Sequence, residues 1–243
     1  MKKIILILLC FSTLYIYGGN NQDTTARKSK WKIGFNFSPD YCYRKLDSTG
    51  NAYFGYLPNS IQMHYMDSIQ KPKYGFTAGI SVGYDVSPHV GIESGVFYSD
   101  KGYQTGWIIP YTDPLVDYVP ARLIYSFYYI DIPFKVDVTL LNKKKFKAYV
   151  NAGFVFDFFE KAVVTSIYND GANTTTSSND YSKYNSLNIS VLGGIGVEYK
   201  CSDRISLKLE PSFRYGLYRI IETPITAYLW NAGVNIGVNY YFR

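Results

Sequence analysis

The stretch Tyr128–Val138 reads Tyr-Tyr-Ile-Asp-Ile-Pro-Phe-Lys-Val-Asp-Val, and it decides the fold of this chain. Its even-numbered residues are all apolar or aromatic, whereas its odd-numbered residues include Asp131, Lys135 and Asp137. Successive side chains of a β-strand point to opposite faces, so this alternation predicts a strand with one apolar and one polar face.

The same alternation recurs in seven further stretches. Together they predict eight strands at about 31–38, 73–86, 89–103, 122–140, 146–160, 186–200, 204–219 and 228–242. The connections alternate in length, because those at 39–72, 104–121 and 161–185 are long whereas those after the second, fourth and sixth strands are short. An even strand number, with short turns at one end and long loops at the other, is typical of outer-membrane barrels.

The N-terminus has the composition of a secretory signal peptide. Two lysines precede an almost entirely apolar run from Ile4 to Tyr17, and two glycines follow. The run is shorter than the ~20 residues that a spanning helix requires. We therefore expect a signal peptide at 1–19, a short periplasmic segment at 20–30 and an outer-membrane β-barrel at 31–243.

The overall composition agrees with an all-β protein at a membrane interface. Aromatic residues make up 18% of the chain and charged residues also 18%, against the ~25% of charged residues in ordinary soluble domains. The net charge of +6 is mild and no long basic run occurs, so nucleic-acid binding is not expected. In an eight-strand arrangement Cys42 falls in an outer loop and Cys201 in a periplasmic turn, too far apart for a disulfide.

Glycine is concentrated on the polar face of the predicted strands, and this indicates which face lines the interior. An eight-strand barrel has a lumen just wide enough for side chains, so glycine there leaves room for large neighbours. On a solvated face it would only weaken the strands. Only Gly193 falls on the apolar face, whereas twelve glycines fall on the polar one: Gly34, Gly75, Gly79, Gly83, Gly91, Gly95, Gly153, Gly194, Gly196, Gly216, Gly233 and Gly237.

The polar face also carries both signs of charge, which can pair inside a narrow lumen as buried charges must. The predicted lumen charge network comprises Lys32, Asp85, Glu93, Asp131, Lys135, Asp137, Lys147, Asp157, Glu198, Lys208, Glu210 and Arg214. The apolar face is aromatic at both ends, as expected of membrane-interface belts. Two alternatives stay open, a soluble periplasmic barrel with the faces reversed and a β-sandwich.

Several segments resemble the PorT-like family of small bacterial outer-membrane barrels. Tyr129–Val136 resembles a strand motif of that family, as do Gly194–Tyr199 and Leu207–Tyr215 with its Glu-Pro pair. The final Gly237–Phe242 resembles a barrel-insertion signal that ends in an aromatic residue, although Arg243 follows here. The resemblance covers about 73–243 and implies an outer-membrane β-barrel domain; some members serve type IX secretion and many have no assigned role.

No metal-ligand spacing, phosphate loop or nucleophile motif occurs, so we expect neither an enzyme nor a bound metal or cofactor. Some eight-stranded barrels modify lipid A with a His, Ser and acid near the outer rim. His64 with Asp67 and Ser68 could imitate such a site, but the simpler interpretation is a loop histidine.

The leading hypothesis is a non-enzymatic outer-membrane protein with both termini in the periplasm. Its candidate contact residues are Trp107, Ile109, Tyr111 and Tyr118, which are apolar or aromatic in a loop outside the bilayer. They would either contact a partner or pack together as a lid. The expected partners are outer-membrane lipid, the barrel-assembly machinery during insertion and an envelope or secretion protein. The alternatives are a narrow passive pore and a lipid A-modifying enzyme.

Overall fold

The computed structural model describes residues 30–48, 53–54, 57–109, 119–178, 184–221 and 223–242. The predicted signal peptide, all but one residue of the predicted segment 20–30, and the candidate contact residues Tyr111 and Tyr118 lie outside the described residues. The proposed division of the chain into these segments therefore stays a prediction.

Eight long antiparallel strands form a closed ring. They are β1 (Trp31–Ser48), β5 (Lys73–Asp85), β6 (Val90–Thr105), β7 (Ala121–Asn142), β8 (Phe146–Tyr168), β10 (Leu187–Lys200), β11 (Ile205–Gly216) and β12 (Ile225–Tyr241). Each strand pairs with the next in this order, and β12 pairs back with β1. The predicted eight-stranded, antiparallel, up-and-down barrel is confirmed.

Shorter elements complete the described chain, all of them at the end of the barrel that carries the long connections. They are β2 (Tyr53–Phe54), β3 (Leu57–Pro58), α1 (Asn59–Ile69), β4 (Gln70–Lys71) and β9 (Asn173–Ser178). We call this end the loop end, and the opposite end, with its short turns at 86–89, 143–145 and 201–204, the turn end.

Several strands extend further toward the loop end than the sequence pattern predicts. The predicted loop 39–72 is wrong in its first part, because β1 continues to Ser48. Pro39 interrupts the pattern but not the strand. The β1–β12 pairing omits Ser38 and Pro39 and resumes at Asp40, while the pairing with β5 continues through both residues. Cys42 accordingly lies buried in β1 rather than in an outer loop.

The predicted loop 161–185 is likewise wrong in part. β8 continues to Tyr168, and β9 folds back on it as an antiparallel hairpin with Ala162 opposite Ser178. Among the described residues, β9 is polar and largely exposed. The hairpin projects beyond the ring, because β10 begins opposite Phe158.

The two faces of the strands have opposite chemistry, as predicted. Outward-facing Phe35, Phe134 and Ile195 are 64%, 55% and 63% exposed, whereas inward-facing Asp131 and Glu198 are fully buried. The barrel is therefore apolar outside and polar inside, the reverse of a soluble globule.

Lumen glycines provide the space that the large inward side chains occupy. A Cβ atom built at Gly196 would overlap the ring of Tyr149, and one built at Gly83 would overlap the aliphatic stem of Lys32. On the outward face, a Cβ at Gly193 would meet only the Asn151 carbonyl oxygen, at 3.9 Å. Gly193 and Gly196 of β10 therefore have different roles, although only two residues lie between them.

We predict that Gly196→Val destabilises the barrel by about 1–3 kcal/mol, because the added methyl groups must displace Tyr149 from a filled lumen. The matched control Gly193→Val adds the same atoms to the open outward face and should change stability by less than about 0.5 kcal/mol. Equilibrium unfolding in urea, in lipid vesicles, measures both variants. Equal losses of stability would show that the lumen is not filled at Tyr149.

Candidate functional site

A network of ion pairs crosses the middle of the lumen. The Lys135 Nζ atom lies 2.8 Å from Glu93 Oε1 and 3.0 Å from Glu210 Oε1. Lys208 Nζ lies 3.0 Å from Glu93 Oε1 and 3.8 Å from Glu210 Oε2. β6 and β11 are not neighbours in the ring, so these contacts tie opposite walls of the barrel together.

The network continues toward the turn end. The Tyr149 hydroxyl donates to Glu210 Oε2 at 2.8 Å. Lys32 Nζ lies 3.9 Å from Asp137 Oδ2, and Lys147 Nζ lies 3.5 Å from Asp85 Oδ1. Glu198 differs from these acids, because its carboxylate accepts hydrogen bonds from the hydroxyls of Ser206 and Tyr241.

A second cluster lies nearer the loop end. Asp131 and Asp157 are directly opposite each other across β7 and β8, an arrangement in which like charges repel. Lys101 Nζ lies 3.1 Å from Asp131 and 2.9 Å from Asp157, and Arg214 Nη1 lies 3.2 Å from Asp131. The two cations therefore offset the repulsion between the carboxylates.

The structure places eleven of the twelve predicted network residues in the buried set, the exception being the partly exposed Asp85. Sequence reasoning missed five further charged residues that contact the interior of the barrel, namely Asp40, Arg44, Lys73, Asp100 and Lys101. Asp40 and Arg44 share the strand parity of Lys32, and Lys101 shares that of Glu93, so the same alternation could have found them. Asp100 lies off this parity, and no sequence signal indicates it.

An apolar cluster fills the barrel above the second charge cluster; we call it the loop-end plug. It consists of Phe127, Tyr129, Phe159, Ala162, Ile220 and Leu229, and Tyr103, Tyr125 and Tyr184 pack against it. The β7–β8 register shifts between Tyr128 and Tyr129, and this irregularity lets both Phe159 and Ala162 face inward. The lumen is thus filled by charged side chains below and apolar side chains above.

Arg44 attaches α1 to the mouth of the barrel. Its side chain is 2% exposed, its Nε atom donates to Gln70 Oε1 at 2.7 Å, and its Nη1 atom pairs with Asp67. The Asp67 carboxylate is therefore committed to Arg44, and Ser68 Oγ donates to the carbonyl of Tyr65. Asp67 and Ser68 of the hypothetical set with His64 are thus engaged in other contacts than those of a catalytic triad.

Two of the predicted contact residues can be located. Trp107 and Ile109 are 55% and 57% exposed, so they do not pack as a lid over the barrel. Ile61 and Tyr65 of α1 are exposed to a similar degree, at 54% and 53%. Leu217 and Tyr218, in the connection between β11 and β12, add two more exposed apolar or aromatic side chains to the loop end, at 46% and 52%.

Cys42 and Cys201 are both free thiols, the first buried and the second exposed in the turn-end segment 201–204. Among the described residues, no group of His, Cys, Asp and Glu side chains is arranged to hold a metal ion. Within the same ranges, no helix is long and apolar enough to cross a membrane.

A family profile described as "Outer membrane protein beta-barrel domain" matches residues 20–222. No curated protein matches the chain significantly. Among solved structures, Neisserial surface protein A is similar over 89% of this chain and 100% of its own, at 14% identity and a TM-score of 0.46.

Two further solved structures are similar at low identity. Ail, the attachment invasion locus protein of Yersinia pestis, aligns over 89% of this chain and 100% of its own, at 11% identity and a TM-score of 0.39. The outer membrane protease OmpT from Escherichia coli aligns over 90% of this chain and 99% of its own, at 9% identity and a TM-score of 0.44.

We predict that Lys135→Met destabilises the barrel by about 3–5 kcal/mol, because it leaves the buried Glu93 and Glu210 short of a partner. The matched control is Lys147→Met, since Lys147 makes a single 3.5 Å contact with the 28% exposed Asp85 side chain. The Lys147→Met variant should lose about 1 kcal/mol of stability or less. Urea unfolding in vesicles measures both, and an equal loss in the two variants would contradict the central role of Lys135.

Proposed function

This chain belongs to the family of outer membrane protein β-barrel domains, and on that basis we propose that it is a non-enzymatic outer-membrane protein whose loop end contacts a partner protein of the envelope or of a secretion system. The observation that carries the proposal is that the lumen and the loop end of the barrel differ in the kind of side chain they contain. The lumen is filled with paired charges and an apolar plug, whereas the exposed apolar side chains lie beyond the plug at the loop end.

The proposed orientation places the loop end outside the cell and both termini in the periplasm. Outer-membrane barrels have short periplasmic turns and longer outer loops, which matches the two ends of this barrel. β1 begins and β12 ends at the turn end, where Lys32 is opposite Tyr241. The predicted periplasmic turns are therefore the segments at 86–89, 143–145 and 201–204.

Aromatic side chains at both ends of the outward face support this placement in a bilayer. At the turn end the rings of Trp31 and Tyr84 lie 4.8 Å apart. Toward the loop end Tyr41 contacts both Tyr74 and Trp230, at ring distances of 5.9 and 6.3 Å. Such belts lie at the headgroup level of the two membrane interfaces.

The proposed contact surface consists of Trp107, Ile109, Ile61 and Tyr65. These side chains lie on segments beyond the aromatic belt of the loop end, so in the proposed orientation they face water rather than lipid. Aromatic side chains are enriched where protein partners bind, and exposed apolar patches of this kind mark interaction sites. A partner that covers them would gain from removing this apolar area from water.

The two alternatives fit the described chain less well. A passive pore needs a continuous polar path, but Phe127, Tyr129 and Phe159 of the loop-end plug lie across the barrel axis. A lipid A-modifying enzyme needs a base that an acid orients, but Asp67 is paired with Arg44. The conductance measurement below tests the pore directly.

We predict that a photo-crosslinking amino acid at position 107 or 109 forms discrete adducts with a protein in intact cells. The matched control is position 143, in a turn at the opposite end of the barrel, which should give different adducts or none. Gel shifts followed by mass spectrometry identify the products. Identical adducts from 107 and 143, or no adducts from 107, 109 and 65, would contradict a partner at the loop end.

We also predict no steady ion conductance, because paired charges and the loop-end plug fill the eight-strand lumen, unlike the water-filled channel of porins with 16–18 strands. Recordings of the purified protein in planar bilayers test this directly. Reproducible, long-lived openings would favour the pore over the partner-binding protein.

A further inference from the structure

Basic side chains are concentrated on two turns at the turn end of the barrel. Lys143, Lys144 and Lys145 make up the turn between β7 and β8. Lys200 ends β10 and Arg204 directly precedes β11, so these two residues flank the next turn. The two turns are adjacent, because the Lys200 N–H donates to the Lys145 carbonyl oxygen at 2.8 Å. We call these five residues the basic cluster.

Neighbouring acids do not balance the charge of the basic cluster. Within the described ranges, the lysines at 143–145 and Arg204 are exposed, and no ion pair involves them. Asp203 is the one exposed acid in the described segments 86–89, 143–145 and 201–204. The partly exposed Asp85 faces Lys147, at 3.5 Å. A surface with such an excess of positive charge attracts anions, most strongly at low ionic strength.

The basic cluster borders directly on the apolar outer face of the barrel. Leu140 and Leu141 precede the lysines and are 67% and 42% exposed, and Phe146 follows them. Tyr199 is opposite Phe146 across the β8–β10 pairing, and both are exposed. Apolar and aromatic side chains of this kind mark the edge of the hydrocarbon layer, and lysine extends its charged group from there into the headgroups. The cluster therefore lies at the level of the lipid phosphates.

The proposed orientation determines which lipids the cluster meets. With the turn end in the periplasm, the cluster lies beside the periplasmic leaflet of the outer membrane, which consists of phospholipids. Groups of lysine and arginine next to a membrane-spanning segment bind anionic headgroups. A zwitterionic headgroup carries a cationic group beside its phosphate, so it gains less from the cluster than an anionic headgroup does.

We propose that the basic cluster binds the headgroup of an anionic phospholipid in the periplasmic leaflet, with the lipid phosphate between the β7–β8 and β10–β11 turns. The lysines at 143–145 supply most of the positive charge, and Lys200 and Arg204 border the site on the neighbouring turn. The choice of leaflet rests on the proposed orientation. The lipid preference itself does not, because vesicles can offer the same lipid in both leaflets.

Cys201 provides a local probe for this binding. It is exposed and adjacent to Lys200, whereas Cys42, the other cysteine of the mature chain, is buried. The full-length mature protein is labelled with bimane at Cys201 and folded into phosphatidylcholine vesicles. The vesicles contain a minor share of quencher lipid, either phosphatidylglycerol or phosphatidylcholine, with a nitroxide near the headgroup end of an acyl chain.

The expected result is a preference for the anionic quencher. At low ionic strength, spin-labelled phosphatidylglycerol should quench the bimane at least about twofold more strongly than spin-labelled phosphatidylcholine. The preference should be largely lost at ~1 M salt, where the Debye length is only ~3 Å.

Two triple variants and one control connect the preference to the cluster. Lys143→Gln, Lys144→Gln and Lys145→Gln together should remove it, whereas arginine at the same three positions keeps the charge and should retain it. The control Lys45→Gln with Lys71→Gln removes two exposed cations from the loop end and should leave the preference unchanged. Each variant is first shown to be folded by its heat-modifiable migration on a gel.

Several results would overturn the proposal. Equal quenching by the two lipids is one, and a preference that survives the triple glutamine variant is another. Co-sedimentation with purified peptidoglycan that needs the three lysines, without any lipid preference, would assign the cluster to the cell wall instead. Labelling of Cys201 on intact cells by an impermeant maleimide would overturn the choice of leaflet. The loop-end crosslinks do not enter these measurements, so the proposed partner and the proposed lipid site fail separately.

Discussion

The structure depends on the pairing of opposite charges inside a barrel whose outer face is apolar. Because each strand alternates, an apolar outer face forces every second residue into a lumen that is just wide enough for side chains. Charges there must pair, since leaving a buried charge without its partner is strongly destabilising. Within the described chain, eight carboxylates and eight cations lie at inward-facing positions, and the contacts of Lys135 and Lys208 with Glu93 and Glu210 join opposite walls of the barrel.

The filled lumen has a consequence for function. Gly196 leaves room for Tyr149, and Tyr149 in turn donates to Glu210, so small and large residues are matched across the interior. Above the charges, Phe127 and Phe159 of the loop-end plug close the barrel. The proposed partner contacts therefore lie outside the lumen, at the loop end, where α1 and the exposed apolar side chains are found.

The alternation seen in Tyr128–Val138, repeated along the chain, was sufficient to predict the fold and the two faces of the barrel. In a bilayer, strands with this pattern turn their apolar face to lipid and their polar face to the lumen. The same parity places Lys101 and Arg44 inside. Arg44 was missed because the first predicted strand ends at 38, whereas Lys101 lies within the predicted strand 89–103 and follows its inward parity. At Pro39 the pattern is interrupted by a residue without an N–H, and only the tertiary register shows that the strand continues. The loop-end plug was also out of reach, since it depends on the register shift beside Tyr129.

Helix α1 could not be predicted for a different reason. Its N-cap residue is Pro58, which makes no side-chain hydrogen bond to the helix, and its first turn contains no acidic residue. Asn59 and Ser60 are residue types that favour a helix start, but they lie inside the helix and the observed N-cap is Pro58. The helix is held by tertiary contacts instead, above all by the pairing of its Asp67 with the buried Arg44 of β1.

The most direct test of this account asks which face of the strands meets lipid. A nitroxide spin label is placed at Ile236→Cys, which is 53% exposed on the outward face of β12, and at its inward neighbour Asn235→Cys. In lipid vesicles, the label at 236 should be accessible to oxygen but not to a water-soluble nickel reagent, whereas the label at 235 should not show this lipid signature. If neither reagent reaches the label at 236 while nickel reaches the label at 235, the faces are reversed and the account is contradicted.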